Sequence, residues 1–284
     1  MTLRKNQKLK KALNTDFMYK RPNRSFFLRT FITVLIVILV IVIWEVVIEH
    51  FNIPKRILPK PSDLYHFFQR EFLTVHSSRY QTVLTKSLYS FRDALFGFSI
   101  ALVLGSILGI ILSLKRGIYA ILFPFLFLTQ LVPVPALAPV VAAILGYGYS
   151  TKIFIIVLFI IFPIAIAVRN TVLNIPENYS QLLHTYTAKK YITFKYLVLP
   201  SLVPTLLSVM KIVCTASIVA TIIAELPLSV KEGIGKDIYN SFNNQMIPRV
   251  WVSVILISII SLLFFKALSY LEKYITTKYK YGEF

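Results

Sequence analysis

Polar and ionisable side chains embedded in apolar sequence are the first candidates for chemistry, because a charge at bilayer depth costs about 3 kcal/mol unless a partner or a role offsets it. One such line runs Cys214, Ser217, Thr221 and Glu225, at intervals that keep all four on one helical face ending in an acid. That pattern suits a solute pathway or gate, with an interfacial carboxylate paired to a nearby base as the alternative. Gln130 offers either a pathway-lining amide or a single interhelical hydrogen bond. Pro133, followed by Pro135 and Pro139, frees backbone carbonyls that protein or cavity water must satisfy, and so marks an irregular helix beside a passage. A third candidate is the polar stretch 169–200, set between long apolar runs. Its middle has helical spacing, with Leu182, Leu183, Tyr186 and Ala188 apolar among Gln181, His184, Thr185, Thr187, Lys189 and Lys190. A connection of that length without a core of its own is expected to touch another protein.

Other chemistries find no residues. Cys214 is the single cysteine, so neither an intramolecular disulfide nor a cysteine metal cluster can form. His50, His66, His76 and His184 lack metal-ligand spacing, and no metal site is assigned. A nucleotide-binding G-x-x-x-x-G-K-[ST] loop is absent, so this chain holds no ATP itself. No paired acids, serine with a base, or H-E-x-x-H helix falls at bilayer depth, and no catalytic residue is assigned. A membrane-embedded enzyme and a self-sufficient channel remain the competing classes; the channel would need a charged ring or a backbone filter.

The elements that must position these groups are membrane helices. Of 284 residues, 56% are hydrophobic and 15% charged, and uncharged runs reach the roughly 20 residues that cross a bilayer. The net charge of +19 lies in tails and connections, which speaks for membrane orientation and against nucleic acid. Spans are expected at 30–48, 84–114, 153–168, 204–224 and 250–267. A sixth, proline-interrupted one lies within 118–151, irregular over 133–139 and ending near Gly146. The fold class is therefore all-α, a polytopic membrane protein with about six transmembrane helices. Both termini and the 169–200 stretch then share the cytoplasmic side, where Lys and Arg concentrate. The domains follow: a basic cytoplasmic tail 1–29, a membrane domain 30–275 and a cytoplasmic tail 276–284. Pro54, Pro59 and Pro61 forbid a continuous helix after the first span and leave a short one along the outer face. Gly97, Ala101, Gly105 and Gly109 keep small side chains near one face of the second span, so a neighbouring backbone can approach. No repeated halves appear, so a symmetric pathway would need two chains.

Several short patterns occur in a telling order: Trp44-Glu45, Leu58-Pro59-x-Pro61-Ser62, Asp93-x3-Gly97-Phe98, Pro133-x2-Ala136-x2-Pro139, Gly146-x-Gly148, Phe162-Pro163, Leu197-Val198-Leu199-Pro200 and Gly233-Ile234-Gly235. In that order they resemble the permease subunit of binding-protein-dependent ABC importers, in the branch handling nitrate, sulfonates, taurine and thiamine precursors. The resemblance covers nearly all of 40–275. The family's cytoplasmic signature, E-A-A, three residues, G, nine residues, I-x-L-P, ends on Leu199 and Pro200; Gln181, Leu182 and Leu183 stand at its front and Thr187 at its glycine.

The resemblance implies a type I importer core of the MetI-like kind. Residues 181–190 and Leu199-Pro200 would couple to a cytoplasmic ABC ATPase present in two copies, which carries the ATP and Mg. A second permease copy would complete a homodimer, and an extracellular or lipid-anchored binding protein would deliver the solute. The site implied is a bacterial cell membrane.

Overall fold

A computed structural model describes residues 26–73, 82–185, 189–226 and 233–279. In chain order its helices are α1 (Phe26–His50), α2 (Pro61–Leu73), α3 (Val83–Leu114), α4 (Arg116–Leu131), α5 (Val134–Leu145), α6 (Tyr149–Leu173), α7 (Glu177–Thr185) and α8 (Lys190–Thr193). A π turn, Phe194–Val198, leads into α9 (Leu199–Glu225), and α10 (Ile234–Asn243) and α11 (Ile247–Tyr279) follow. The chain divides into two units, Met1–Ile53 and Pro54–Phe284. In the first, α1 exposes apolar side chains such as Leu35, Ile38 and Val42, the surface a lipid-facing span presents.

Small residues decide how the second unit packs. Gly97, Ala101, Gly105 and Gly109 are all buried along α3, and the neighbour they admit is α6. A Cβ added at Gly97 would lie 2.6 Å from Ile156 Cγ2, and one at Gly109 would lie 2.5 Å from the Ala165 carbonyl oxygen. Between lipid-solvated helices such contact, more than expulsion of water, drives association. Phe98, Ile156, Ile160, Ile164, Val213, Cys214, Ala220 and Leu268 carry the packing on into α9 and α11 as one apolar core. Gly109→Val is expected to destabilise the detergent-solubilised chain by about 3 kcal/mol through overpacking, read as a lowered unfolding midpoint. Gly117, with nothing within 4 Å of its hypothetical Cβ, serves as the matched control that should change little.

Among the described residues five helical runs are long and apolar enough to cross a membrane; α4 and α5 qualify as a sixth only as a pair bent by 113°. The break falls where the prolines predict it. Val132 is extended (φ −79°, ψ 125°), as a residue before proline must be, and Pro133 caps α5.

Three expected boundaries need correction. The span expected at 153–168 runs Tyr149–Leu173, bringing Lys152 into the helix. The one expected at 204–224 belongs to a helical run beginning at Lys190. Pro200 is tolerated in the first turn of α9, where its missing N–H matters least, directly after the widened π turn. The last span exceeds 250–267 and occupies Ile247–Tyr279.

Candidate functional site

Two groups of residues stand at opposite ends of α6 and α9. At one end, the connection between them carries α7. Gln181, Leu182, Thr185, Lys189 and Lys190 are exposed, Leu183 is half-buried, and Leu182 keeps 55% of its surface exposed, a large apolar side chain presented to solvent. Within the described helix the Thr185 hydroxyl donates back to the Gln181 carbonyl at 3.0 Å. Its start at Glu177 lies about one turn before that of the 181–190 pattern. Thr187 and Ala188 lie outside the described residues, as does the side chain of His184. Lys189 is extended and begins α8.

The flanks of this connection are fastened. The hydroxyls of Thr171 on α6 and Thr205 on α9 share a hydrogen bond at 2.7 Å. The Arg169 guanidinium stacks 3.6 Å over the Tyr119 ring of α4. Leu199 and Pro200 join α9 to the π turn without a break. A cleft of about 330 Å³ lies at the base, lined by Asn170, Thr171, Asn174, Ile175, Pro176 and Ser201.

The pathway candidates are dispersed. Gln130 donates from Nε2 to the Phe159 carbonyl at 3.0 Å, an interhelical bond from α4 to α6. Pro133 is exposed at the bend. Ser217 and Thr221 are fully buried, and their hydroxyls donate to the carbonyls of Cys214 and Ser217 within α9. In this conformation they face packed protein and not an open passage.

Glu225 sits at the opposite end with no exposed surface. Its carboxylate accepts from Lys152 Nζ at 2.9 Å, from Ser90 Oγ at 2.7 and 2.8 Å, and from the Gly235 backbone N–H at 2.7 Å. Lys152 also bonds Asp93 Oδ2, and Arg92 reaches Asp93 Oδ1. The Ile234 N–H donates to Ser90 Oγ at 2.8 Å. Asp93, Lys152 and Glu225 thus meet from α3, α6 and α9, and together they seat the start of α10. Glu225 was legible from the helical face ending in an acid. Lys152 was not, because a lysine between two apolar runs reads as part of a connection. Its signal was position: four residues past Gly148, inside the first turn of the following helix.

A neighbouring network fastens the first turn of α10 through Asp237. Asp237 pairs with Lys86 and with Arg249, and Arg249 approaches Glu71, whose carboxylate also accepts from the Val83 N–H at the start of α3. Each network contains two cations and two carboxylates; in the first, Arg92 is exposed and Lys152 is the buried cation between Asp93 and Glu225.

Comparison with known proteins bears on what these parts do. A family model described as "Binding-protein-dependent transport system inner membrane component" matches residues 101–280. The formylaminopyrimidine transport permease protein ThiX of Halalkalibacterium halodurans is 25% identical over 240 residues, 83% of this chain and 90% of that one. A probable ABC transporter permease protein of Haemophilus influenzae is 25% identical over 239 residues, 84% and 93% of the two chains. The bicarbonate transport system permease protein CmpB of Synechococcus elongatus is 29% identical over 180 residues, 63% and 64%. Among solved structures, an inward-facing conformation of the MetNI methionine ABC transporter superposes with a TM-score of 0.60 at 16% identity, over 71% of this chain and 100% of that one. That likeness establishes a shared fold.

Proposed function

We propose, because this chain belongs to the family of binding-protein-dependent transport system inner membrane components, that it forms the membrane passage of an ATP-driven importer for a small polar solute. The chain is a multi-pass membrane protein and a permease; it does no covalent chemistry of its own. The observation that carries the mechanism is the exposed helix α7, held between α6 and α9 whose adjoining ends are bonded through Thr171 and Thr205. A solvent-facing helix carried between two spans that are bonded to each other passes displacement to both.

In this reading α7 docks on a cytoplasmic ATPase, two copies of which hold ATP and Mg and drive a pair of permease chains. Gln181, Leu182, Leu183, His184 and Thr185 make the contact, with Thr187, Ala188, Lys189 and Lys190 at its margin, and Leu199-Pro200 passes the motion to α9. The termini lie in the cytoplasm, following the concentration of Lys and Arg. The end carrying Glu225 and α10 then faces outward, where a binding protein hands over the solute. Shifting such a pair of chains from 1:99 to 99:1 between inward and outward states requires the ATPases to favour one state by about 5.5 kcal/mol. Relatives named for formylaminopyrimidine, bicarbonate and nitrate transport support a solute of that size and polarity; sulfonates and taurine belong to the same range.

Reconstitution tests the reading. Proteoliposomes containing this chain and its ATPase should accumulate solute only with internal ATP and external binding protein. Flux that runs without ATP would instead identify a channel. Glu225→Gln is expected to insert normally and to lower uptake about tenfold, since a neutral amide keeps hydrogen bonds but loses the charge attraction to Lys152. Unchanged uptake kinetics would reduce Glu225 to a structural carboxylate.

A further inference from the structure

We propose that Lys152 is a positioning residue of the outer gate: it holds Glu225 as the acceptor that clasps the start of α10, and this clasp opens in each transport cycle. The proposal rests on the orientation and docking given above, and its basis is topological. The helices that flank α7, α6 and α9, are bonded at the docking end through Thr171 and Thr205 and meet again at the far end through Lys152 and Glu225. Lys152 stands in the first turn of α6 and Glu225 in the last turn of α9. The 25 residues of α6 make a rod of roughly 37 Å. Any sliding of α6 against α9 started at α7 is therefore felt at the Lys152–Glu225 pair.

Helix α10 has left-handed backbone at each flank, Gly233 at φ 143° and Gln245 at φ 57°. It is fastened mainly by charge. Its buried face consists of Ile234, Gly235, Asp237 and Ser241, while Tyr239 and Phe242 are exposed. Apolar contact alone would hold it weakly, and ionic contacts are the kind that water can replace when the end opens.

The seat itself is tailored to the carboxylate. A Cβ at Gly233 would fall 2.5 Å from Glu225 Cδ, and one at Gly235 would fall 2.8 Å from Glu225 Cβ. Two successive N–H groups, of Ile234 and Gly235, reach Ser90 Oγ and Glu225 Oε2, where the positive end of a helix favours an anion. Well-packed apolar residues would hold the same helices at no greater cost. Charges that are all satisfied in the closed seat specify that one geometry and give it a discrete way to come apart. Lys152 is the group common to both carboxylates, so it sets whether Glu225 remains in place.

The test uses the complex of this chain, its ATPase and the binding protein in proteoliposomes, with Cys214→Ala as background and Ile234→Cys as reporter. Ile234 is fully buried in the closed seat. An external, membrane-impermeant maleimide should label it slowly at rest and about tenfold faster in the vanadate-trapped, nucleotide-bound complex, as a population shift requires. The paired variant Lys152→Met with Glu225→Gln removes one charge of each sign and leaves Arg92 and Asp93 balanced. It should label at the fast rate without nucleotide and hydrolyse ATP without waiting for binding protein, while Lys152→Arg keeps nucleotide-dependent labelling. Equal labelling with and without nucleotide, in a complex that hydrolyses ATP and takes up solute, would overturn the proposal while leaving the importer intact. Wild-type labelling and uptake by a well-inserted paired variant would overturn it equally. A complex with no ATP-dependent uptake at all would instead strike the reading on which the proposal rests.

Discussion

Leu183→Pro should leave the chain in the membrane at normal abundance and reduce uptake to roughly 1% of the unaltered level. Proline in a helix interior costs about 3 kcal/mol, and α7 is only nine residues long, so the helix would not survive. The membrane packing would, because the core is built from α3, α6, α9 and α11 and Leu183 is only half-buried. If α7 supplies the contact through which nucleotide state reaches the spans, losing about 3 kcal/mol of it shifts the coupling equilibrium about 100-fold. The measurement is solute uptake normalised to membrane abundance, with Lys189→Glu and Lys190→Glu as a milder comparison. Full uptake by an abundant Leu183→Pro chain would show that α7 transmits nothing.

Lys152→Ala should be the most damaging single change at the other end, and its damage should appear in stability before it appears in kinetics. The substitution leaves the carboxylate of Glu225 without a cation at zero exposure, with only Ser90 and the Gly235 N–H as partners. Asp93 would keep Arg92. Removing one partner of a buried ion pair costs about 4 kcal/mol, far more than replacing both. The unfolding midpoint of the solubilised chain should fall accordingly, and adding Glu225→Gln should restore most of it although the second change removes a further charge. A midpoint unaffected by Lys152→Ala, or one made worse by the second substitution, would mean that the two side chains do not interact.

Much of this arrangement was legible in the sequence, and the reason in each case is local. Apolar runs long enough to span a bilayer marked the helices. The Gly97 to Gly109 stripe marked the close face of α3, and Pro133 marked the bend, because a proline constrains its own backbone and its predecessor's wherever it stands. The extent of α9 was not legible in the same way. Pro200 and Pro204, with Lys189, Lys190 and Lys195 nearby, look like the end of a connection, yet proline is tolerated in a first helical turn and a π turn accommodates the run from Lys190.

The ion network was hidden for a different reason. Asp93, Lys152 and Glu225 each lie near the end of an apolar run, where an isolated charge reads as interfacial. Only the meeting of the first turn of α6 and the last turn of α9 with the interior of α3 turns them into one buried group, and sequence spacing does not report that alignment. The 181–190 pattern marked the connection proposed for docking, but its described helix starts at Glu177, since helix starts are set by backbone that apolar periodicity does not reveal.

The measurement that bears most directly on the function is recovery of partners. The chain, tagged at its C-terminus in its own host and solubilised gently, should bring down an ATPase bearing a phosphate loop, in amounts that Leu183→Pro abolishes, and with it a second copy of the chain. An intact chain recovered alone, under conditions in which other transporter complexes survive, or an ATPase retained undiminished by Leu183→Pro, would contradict docking through α7 and with it the importer mechanism proposed for this permease.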